Sequence, residues 1–317
     1  MSSATAFAPA TVANVGSAFD VLGFALEHPG DCVHASVSAS SGVRILGIEG
    51  DGGRLPRDPL KNTAGVSVRA LLDHLVAGDA SLASLGLDLT IRKGLPIGSG
   101  LGSSSASAVA AVVAANAALG EPLARSELLP FAMEGERVAC GTAHADNVAP
   151  ALLGGFVLIR SYEPLDVVML PAPPQALVVV ATPHIELNTH DARRVLRRSV
   201  PLSAAVAQWG NVAALVAGIF QGDVALMGRA LEDKIIEPER SQLIPGFSAV
   251  KSAALDAGAL GCSISGSGPS IFALCRSRQS AERVGESMQL AFSQVPLSAT
   301  VHVSPVNPLG ATIVARG

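Results

Sequence analysis

The chain has 317 residues, 49% hydrophobic and 15% charged, which supplies ample apolar side chain for a large core and excludes general disorder. Its 22 basic and 26 acidic residues, net −4, exclude a general nucleic-acid or anionic-membrane binder, since both need a broad excess of Lys and Arg. The apolar content is also small in kind: aromatics are 3%, with one Trp and one Tyr, against 32 Gly.

In chain order, Phe7 to Leu26 opens as a strand, and Val33 to Val43 alternates like a half-exposed one. No Lys or Arg precedes Arg44, so no secretory or transit pattern is expected and the protein reads as cytoplasmic. Asn62 to Leu75 has helical spacing, and Leu85, Leu87, Leu89 and Ile91 alternate in a strand that ends at Lys93. Ser103 to Leu119 reads as an Ala/Val helix stopped by Gly120, with too few apolar residues for a membrane span. Leu123 to Cys140 reads as a helix, and Phe156 to Ile159 and Val167 to Leu170 as strands. The run Pro171-Ala172-Pro173-Pro174 reads as a linker, giving domains 1–172 and 173–317. Beyond it come a strand at Ala176 to Ala181, helices through the arginine-rich and Trp209 regions to Leu231, and a helix from Phe247 to Ala257. A hairpin around Ser265-Gly266-Ser267-Gly268-Pro269, a helix from Ala281 and a strand near Val301 make this half a helix-covered antiparallel sheet. Cys32, Cys140, Cys262 and Cys275 lack metal-ligand spacing and read as free thiols.

The loop from Pro96 to Ser105 joins a strand to a helix, a setting that favours anion binding through backbone amides and the helix N-terminus. It has neither a Walker A ending nor dinucleotide glycine spacing, so the loop alone is compatible with a phosphate site or a serine-capped turn. Candidate counter-charges and metal ligands along the chain are Lys93, Glu134, Glu136 and the group His144, Asp146, Asn147. Arg193, Arg194, Arg197 and Arg198 form a cluster in which one guanidinium could grip a substrate carboxylate, or all could be solvated.

Three segments in order, Pro9 to Asp20, Pro96 to Ala106 and Gly261 to Ser270, resemble the motifs of the GHMP small-molecule kinases (galactokinase, homoserine kinase, mevalonate kinase, phosphomevalonate kinase). Asn14 to Asp20, His144 to Pro150 and Ile236 to Phe247 are most similar to the homoserine kinases, and the resemblance runs from about residue 6 to residue 305. It implies a two-domain α+β fold: an N-terminal domain with a left-handed β-α-β crossover and a ferredoxin-like C-terminal domain, with the active site between them. The implied reaction is transfer of a phosphoryl group from ATP, with Mg²⁺, to the hydroxyl of L-homoserine, a step of threonine biosynthesis.

Carried over by position, the resemblance gives Pro96, Ile97, Gly98, Ser99, Gly100, Leu101, Gly102, Ser103, Ser104, Ser105 and Ala106 to the ATP phosphates and Asn62 to the adenine. It gives Ser104 and Glu136 to the metal, and Asn14, Asp20, His144, Arg193 and Arg240 to the amino-acid substrate. Asn14 and Asn147 fall at the reacting centre; Asn147 stands where other superfamily members carry a basic Asp, which implies transfer by alignment without an obligatory base. Two points stay open: which of Ser103, Ser104 and Ser105 ligates the metal, and whether Arg193 or Arg194 takes the carboxylate. Threonine is implied as an inhibitor at the same site. A homodimer is an open expectation, and neither nucleic acid nor membrane is expected as a partner. The alternatives are another GHMP-type kinase and a non-catalytic amino-acid sensor of the same fold.

Overall fold

The computed structural model describes residues 2–141 and 144–317. Three strands, β1 (Ser3–Ala13), β2 (Leu22–Ser38) and β3 (Gly42–Glu49), lead to α1 (Thr63–Gly78), β4 (Gly86–Arg92) and α2 (Ser103–Ala118). α3 (Leu129–Cys140), α4 (Ala145–Leu153) and the hairpin of β5 (Phe156–Tyr162) and β6 (Leu165–Leu170) follow. The strands form one mixed sheet in the order β1-β2-β4-β3, with the hairpin joined to β2. Its parallel pair is β3 with β4, linked by α1 as a β-α-β unit.

The Ala/Val helix explains much of the composition. Every residue of α2 from Ser105 to Ala118 is buried, because the helix runs between the sheet and α1, α3 and α4. A helix enclosed on all sides has no polar face, and small side chains let four neighbours approach its backbone. Aromatics would not fit there.

After the proline run the chain builds a second sheet. β7 (Leu177–Pro183) is followed by α5 (Thr189–Arg194), α6 (Leu202–Gln221), α7 (Val224–Ala230), α8 (Glu237–Arg240) and α9 (Phe247–Asp256). The hairpin β8 (Gly261–Ile264) and β9 (Ile271–Cys275), α10 (Arg278–Ser293) and β10 (Ala299–Pro305) complete it. The order β10-β7-β9-β8, antiparallel throughout, is the ferredoxin-like arrangement. Alternation along β7 shows how the halves join: Val179 and Ala181 belong to the cluster under α9 and α10, whereas Val178 and Val180 belong to the core of the first sheet. Phe24 of β2 meets Phe272 of β9 edge-on at 6.0 Å across this junction. The last strand, β11 (Thr312–Arg316), returns to pair with β1, so the C-terminal tail lies in the first sheet.

Several elements differ from the sequence reading. Leu123 to Cys140 is a 3-10 turn at Arg125–Leu128 followed by α3, because Pro130 fits only the first turn of a new helix. Val33 to Val43 breaks at a Ser-Ser turn before Gly42. The arginine cluster is helical only to Arg194, so Arg197 and Arg198 do not continue the faces of Arg193 and Arg194. α6, 20 residues, is long and apolar enough by composition to cross a membrane, yet Gln208, Leu215, Gly218 and Ile219 bury one of its faces in the protein body. Cys32, Cys262 and Cys275 are free thiols; the side chain of Cys140 lies outside the described residues.

Candidate active site

A cavity of about 570 Å³ opens between the two units. One end is the glycine loop. Gly98, Gly100 and Gly102 have φ of +67°, +77° and +66°, alternating with Ser99 and Leu101, which do not. Such alternation turns successive amides to one side. The carbonyls are all engaged elsewhere: Gly98 accepts from the Leu187 amide, Ser99 from the Ser270 amide, Gly100 from the Ser265 hydroxyl, Leu101 from the Thr11 amide and Gly102 from the Ala106 amide. Among the described residues no amide from Gly98 to Ser105 donates to a protein acceptor. With the helix N-terminus behind it, the loop is a set of unclaimed donors facing an anion-sized space. Gly100 is fixed by packing as well as conformation, since a Cβ there would lie 2.6 Å from the carbonyl oxygens of Ser265 and Gly268.

Lys93 holds this loop in place. Its ammonium pairs with Asp31 and donates to the Ser103 carbonyl and the Ser107 hydroxyl, both at 2.8 Å. Asp31 in turn accepts from the Gly94 and Leu95 amides at 2.9 and 3.1 Å. Burial is the main influence on Lys93 and pulls its pKa down, with Asp31 opposing. The pair is therefore a buried brace between β2 and the start of α2, although Lys93 also touches the cavity wall.

Ser104 and Ser105 both donate to one Glu136 oxygen, at 2.9 and 2.8 Å. Ser104 and Glu136 line the cavity, whereas Ser105 is fully buried. One carboxylate and one hydroxyl beside a phosphate cradle are the hard oxygen donors that suit Mg²⁺, which keeps most of its other positions for water and phosphate. Glu134, by contrast, lies on the outer face of α3 paired with Arg137. Asn62 caps α1 by accepting from the Ala64 amide and donates to the Pro56 carbonyl, so it frames a slot at the cavity edge with Leu55 and Pro56. Of the other loop residues, Ile97 and Ser103 line the cavity; Leu101 and Ala106 point into the core, and Pro96 is exposed outside the lining.

The other end brings together all three glycine-bearing motifs. Asn14 and Asp20 both sit at positive φ, +59° and +60°, a strained conformation held by local bonds. The Asn14 side chain donates to the Gly266 carbonyl at 2.9 Å and accepts from the Asp20 amide at 2.8 Å. Arg193 donates to Asp20 at 2.7 Å, and its guanidinium lies 5.3 Å from the Phe19 ring. Arg240, 2% exposed, donates to the Ala192 and Gly266 carbonyls and stacks at 4.9 Å over the same ring. Burial, and then Arg193, lower its pKa to about 10, which still leaves it charged at neutral pH. His144 stands 3.5 Å from Arg193, and burial holds its pKa below the usual imidazole value. Asn147 accepts from Thr11 at 2.7 Å beside the loop. Arg194 is outside this group, 72% exposed near Asp191.

Asp146, a candidate counter-charge or metal ligand in the sequence, is the group whose setting the structure changes most. Its carboxyl is 3% exposed, borders the cavity and has one oxygen with no hydrogen-bond partner. Burial first, then repulsion from Asp20 and Glu136, push its pKa up to about 7. Its position in the first turn of α4 was legible in the sequence; its burial was not.

A backbone phosphate cradle facing a pocket of opposed charges, seated between a mixed sheet and a ferredoxin-like one, is the architecture of the GHMP small-molecule kinases. Family models for the N-terminal and C-terminal domains of GHMP kinases match residues 63–155 and 213–294. The chain is 52% identical to a homoserine kinase of Chlorobaculum tepidum over 99% of both chains. It is 44% identical to a homoserine kinase of Arabidopsis thaliana over 97% of this chain and 84% of that one. The crystal structure of homoserine kinase from Cytophaga hutchinsonii superposes with a TM-score of 0.94 at 54% identity, covering 98% of this chain and 97% of the other. The chain belongs to the GHMP kinases and, within them, to the homoserine kinase family.

Proposed function

We propose that this chain transfers the terminal phosphoryl group of ATP, with Mg²⁺, directly to the side-chain hydroxyl of L-homoserine, giving O-phospho-L-homoserine and ADP. The observation that carries the phosphoryl-transfer half is the run of five loop carbonyls already bonded elsewhere, which leaves the amides of Gly98 to Ser105 for phosphate oxygens. The amino-acid half rests on Asp20 set against Arg193 and Arg240, the complement of a zwitterion.

In this reading Asp20 takes the substrate ammonium and the two arginines its carboxylate, with Asn14 and His144 shaping the pocket. Asn62 flanks the adenine. Ser104 and Glu136 would hold Mg²⁺, which when bound neutralises charge on the transferring phosphoryl group. Asn147, fixed by Thr11, orients the hydroxyl and cannot take its proton. Catalysis is then positioning and charge neutralisation, without an obligatory side-chain base. Asp146 is the carboxyl that tests this: Asp146→Asn should keep most of kcat. Loss of an acidic limb near pH 7 from the rate profile together with kcat would show a required base.

The same reading has threonine, an amino acid of similar size bearing a hydroxyl, compete for the homoserine pocket, and has the enzyme working in the cytoplasm as a homodimer. A coupled ADP-release assay over homoserine, threonine, serine, mevalonate and galactose, with and without Mg²⁺, tests the assignment. Turnover with homoserine that requires the metal is expected. Turnover confined to a substrate that is not an amino acid would overturn the assignment, and binding of homoserine without any turnover would make the protein a sensor.

A further inference from the structure

We propose that the outer face of α6 is the two-fold interface of the homodimer, its occupant being α6 of a second copy packed antiparallel. The inference deepens the homodimer reading above and rests on it. Along α6, Leu202, Val206, Trp209, Ala213, Val216 and Phe220 recur at spacings of four and three, which is the seam of a helix pair. In the single chain most of that seam faces outward: Leu202, Val206, Trp209 and Phe220 are 71%, 55%, 62% and 61% exposed, while Val216 is half-buried against the protein's own core.

Three further observations select a second copy as the occupant. Gly210 sits beside the seam at its midpoint, exposed in the middle of a helix, and a Cβ there would meet nothing within 4 Å. An interior helix glycine costs about 1 kcal/mol relative to alanine, and nothing in this chain packs against it. At a two-fold axis it would let two backbones close in. Next, no charged residue occurs between Arg198 and Asp223, both exposed, and Arg198 has no ion-pair partner among the described residues. Antiparallel packing brings the Arg198 end of one copy to the Asp223 end of the other and opposes the helix dipoles favourably.

The third observation is area. Large aromatic side chains present about 150–250 Å² each, so the four exposed seam residues offer roughly 500 Å². That is most of the ~800 Å² per partner of a standard stable interface, before Val200 and the charged ends are counted. The surface is also rigid. Gln208, next to Trp209, donates to the Ser17 carbonyl at 2.7 Å and to Asp233 at 2.8 Å, and accepts from the Lys234 amide at 3.1 Å. A membrane-surface helix would carry Lys or Arg along its length, and α6 carries none.

Sedimentation velocity of the full chain tests this. The wild type should sediment as twice its 32.0 kDa mass, and Val206→Glu or Trp209→Glu should weaken the dimer by roughly 30-fold or more while keeping the far-UV circular dichroism of the wild type. A wild-type dimer that both variants retain would overturn the α6 interface and leave the homodimer standing elsewhere. A wild-type monomer would overturn both, and flotation of that monomer with phosphatidylcholine–phosphatidylserine vesicles would give the face to a membrane instead. Gly210→Cys, at the axis itself, supplies an independent readout. Mild oxidation should link two copies at the axis beyond any linkage of the wild type, and failure to do so in a dimer of normal stability would contradict the geometry.

Discussion

At the phosphate end of the cavity the groups that face a ligand are backbone amides, fixed by carbonyls bonded elsewhere and by the buried Lys93–Asp31 brace. At the other end, the proposed amino-acid site, they are charged side chains, and Asp20 and Arg193 are bonded to each other. The two ends solve different problems. In the proposed reading ATP brings its own charges and Mg²⁺, so beyond Ser104 and Glu136 for the metal the protein needs a rigid set of dipoles. A zwitterion must displace an existing ion pair, and it can do so at little cost because it returns one opposite charge to each partner. A ligand bearing only one of the two charges leaves either Asp20 or Arg193 unpaired in a half-buried site, so the proposed site should select for amino acids.

The largest expected effect breaks the brace. Lys93→Ala leaves Asp31 buried and alone, and should cost about 3–5 kcal/mol of stability in urea unfolding. The double variant Lys93→Met/Asp31→Leu should recover much of it. A Lys93→Ala protein of normal stability that simply binds ATP poorly would move Lys93 from the brace to the ligand.

Next come the two ends themselves. Glu136→Ala should lower kcat by roughly 100-fold, the scale of losing one charge-stabilising group in the transition state. Arg240→Ala should mainly raise the KM for homoserine, by roughly 30-fold or more, with the KM for ATP little changed. Equal effects of both variants on ATP alone would erase the distinction between the ends.

Asp146 gives a pH-dependent prediction. Its folded pKa of about 7 lies above the ordinary carboxyl value, so the folded state binds the proton more tightly. This group's stabilisation is complete below about pH 4 and is lost as pH rises through about 7. Asp146→Asn should remove that downward slope in the urea midpoint between those limits. An unchanged slope would show the carboxyl to be ionised and paired. The smallest effect is at Arg194: exposed and loosely paired, its change to Ala should alter the KM for homoserine less than about two-fold.

Much of the site was legible because its chemistry is local. The loop from Pro96 to Ala106, the Asn14 to Asp20 segment and the hairpin at Gly266 each carry turn and cap residues whose use follows from neighbouring positions, and the structure brings the three together. What could not be read depends on distant partners. Lys93 looks like a phosphate counter-charge until Asp31, 62 residues away, is seen to hold it. Arg193 and Arg194 are adjacent and chemically alike, and only the direction of α5 separates the pocket from solvent. The place of the Ala/Val helix at the centre of the fold could not be read from periodicity, because a helix buried on every side shows no amphipathic period.

The most direct measurement compares homoserine with two analogues that each lack one charge, 4-hydroxybutyrate and 3-aminopropan-1-ol, in the same ADP-release assay. Losing either charge should lower kcat/KM by about 100-fold or more while the KM for ATP stays near its value with homoserine. Turnover of either analogue at a rate near that of homoserine would contradict the exchange of partners at Asp20 and Arg193.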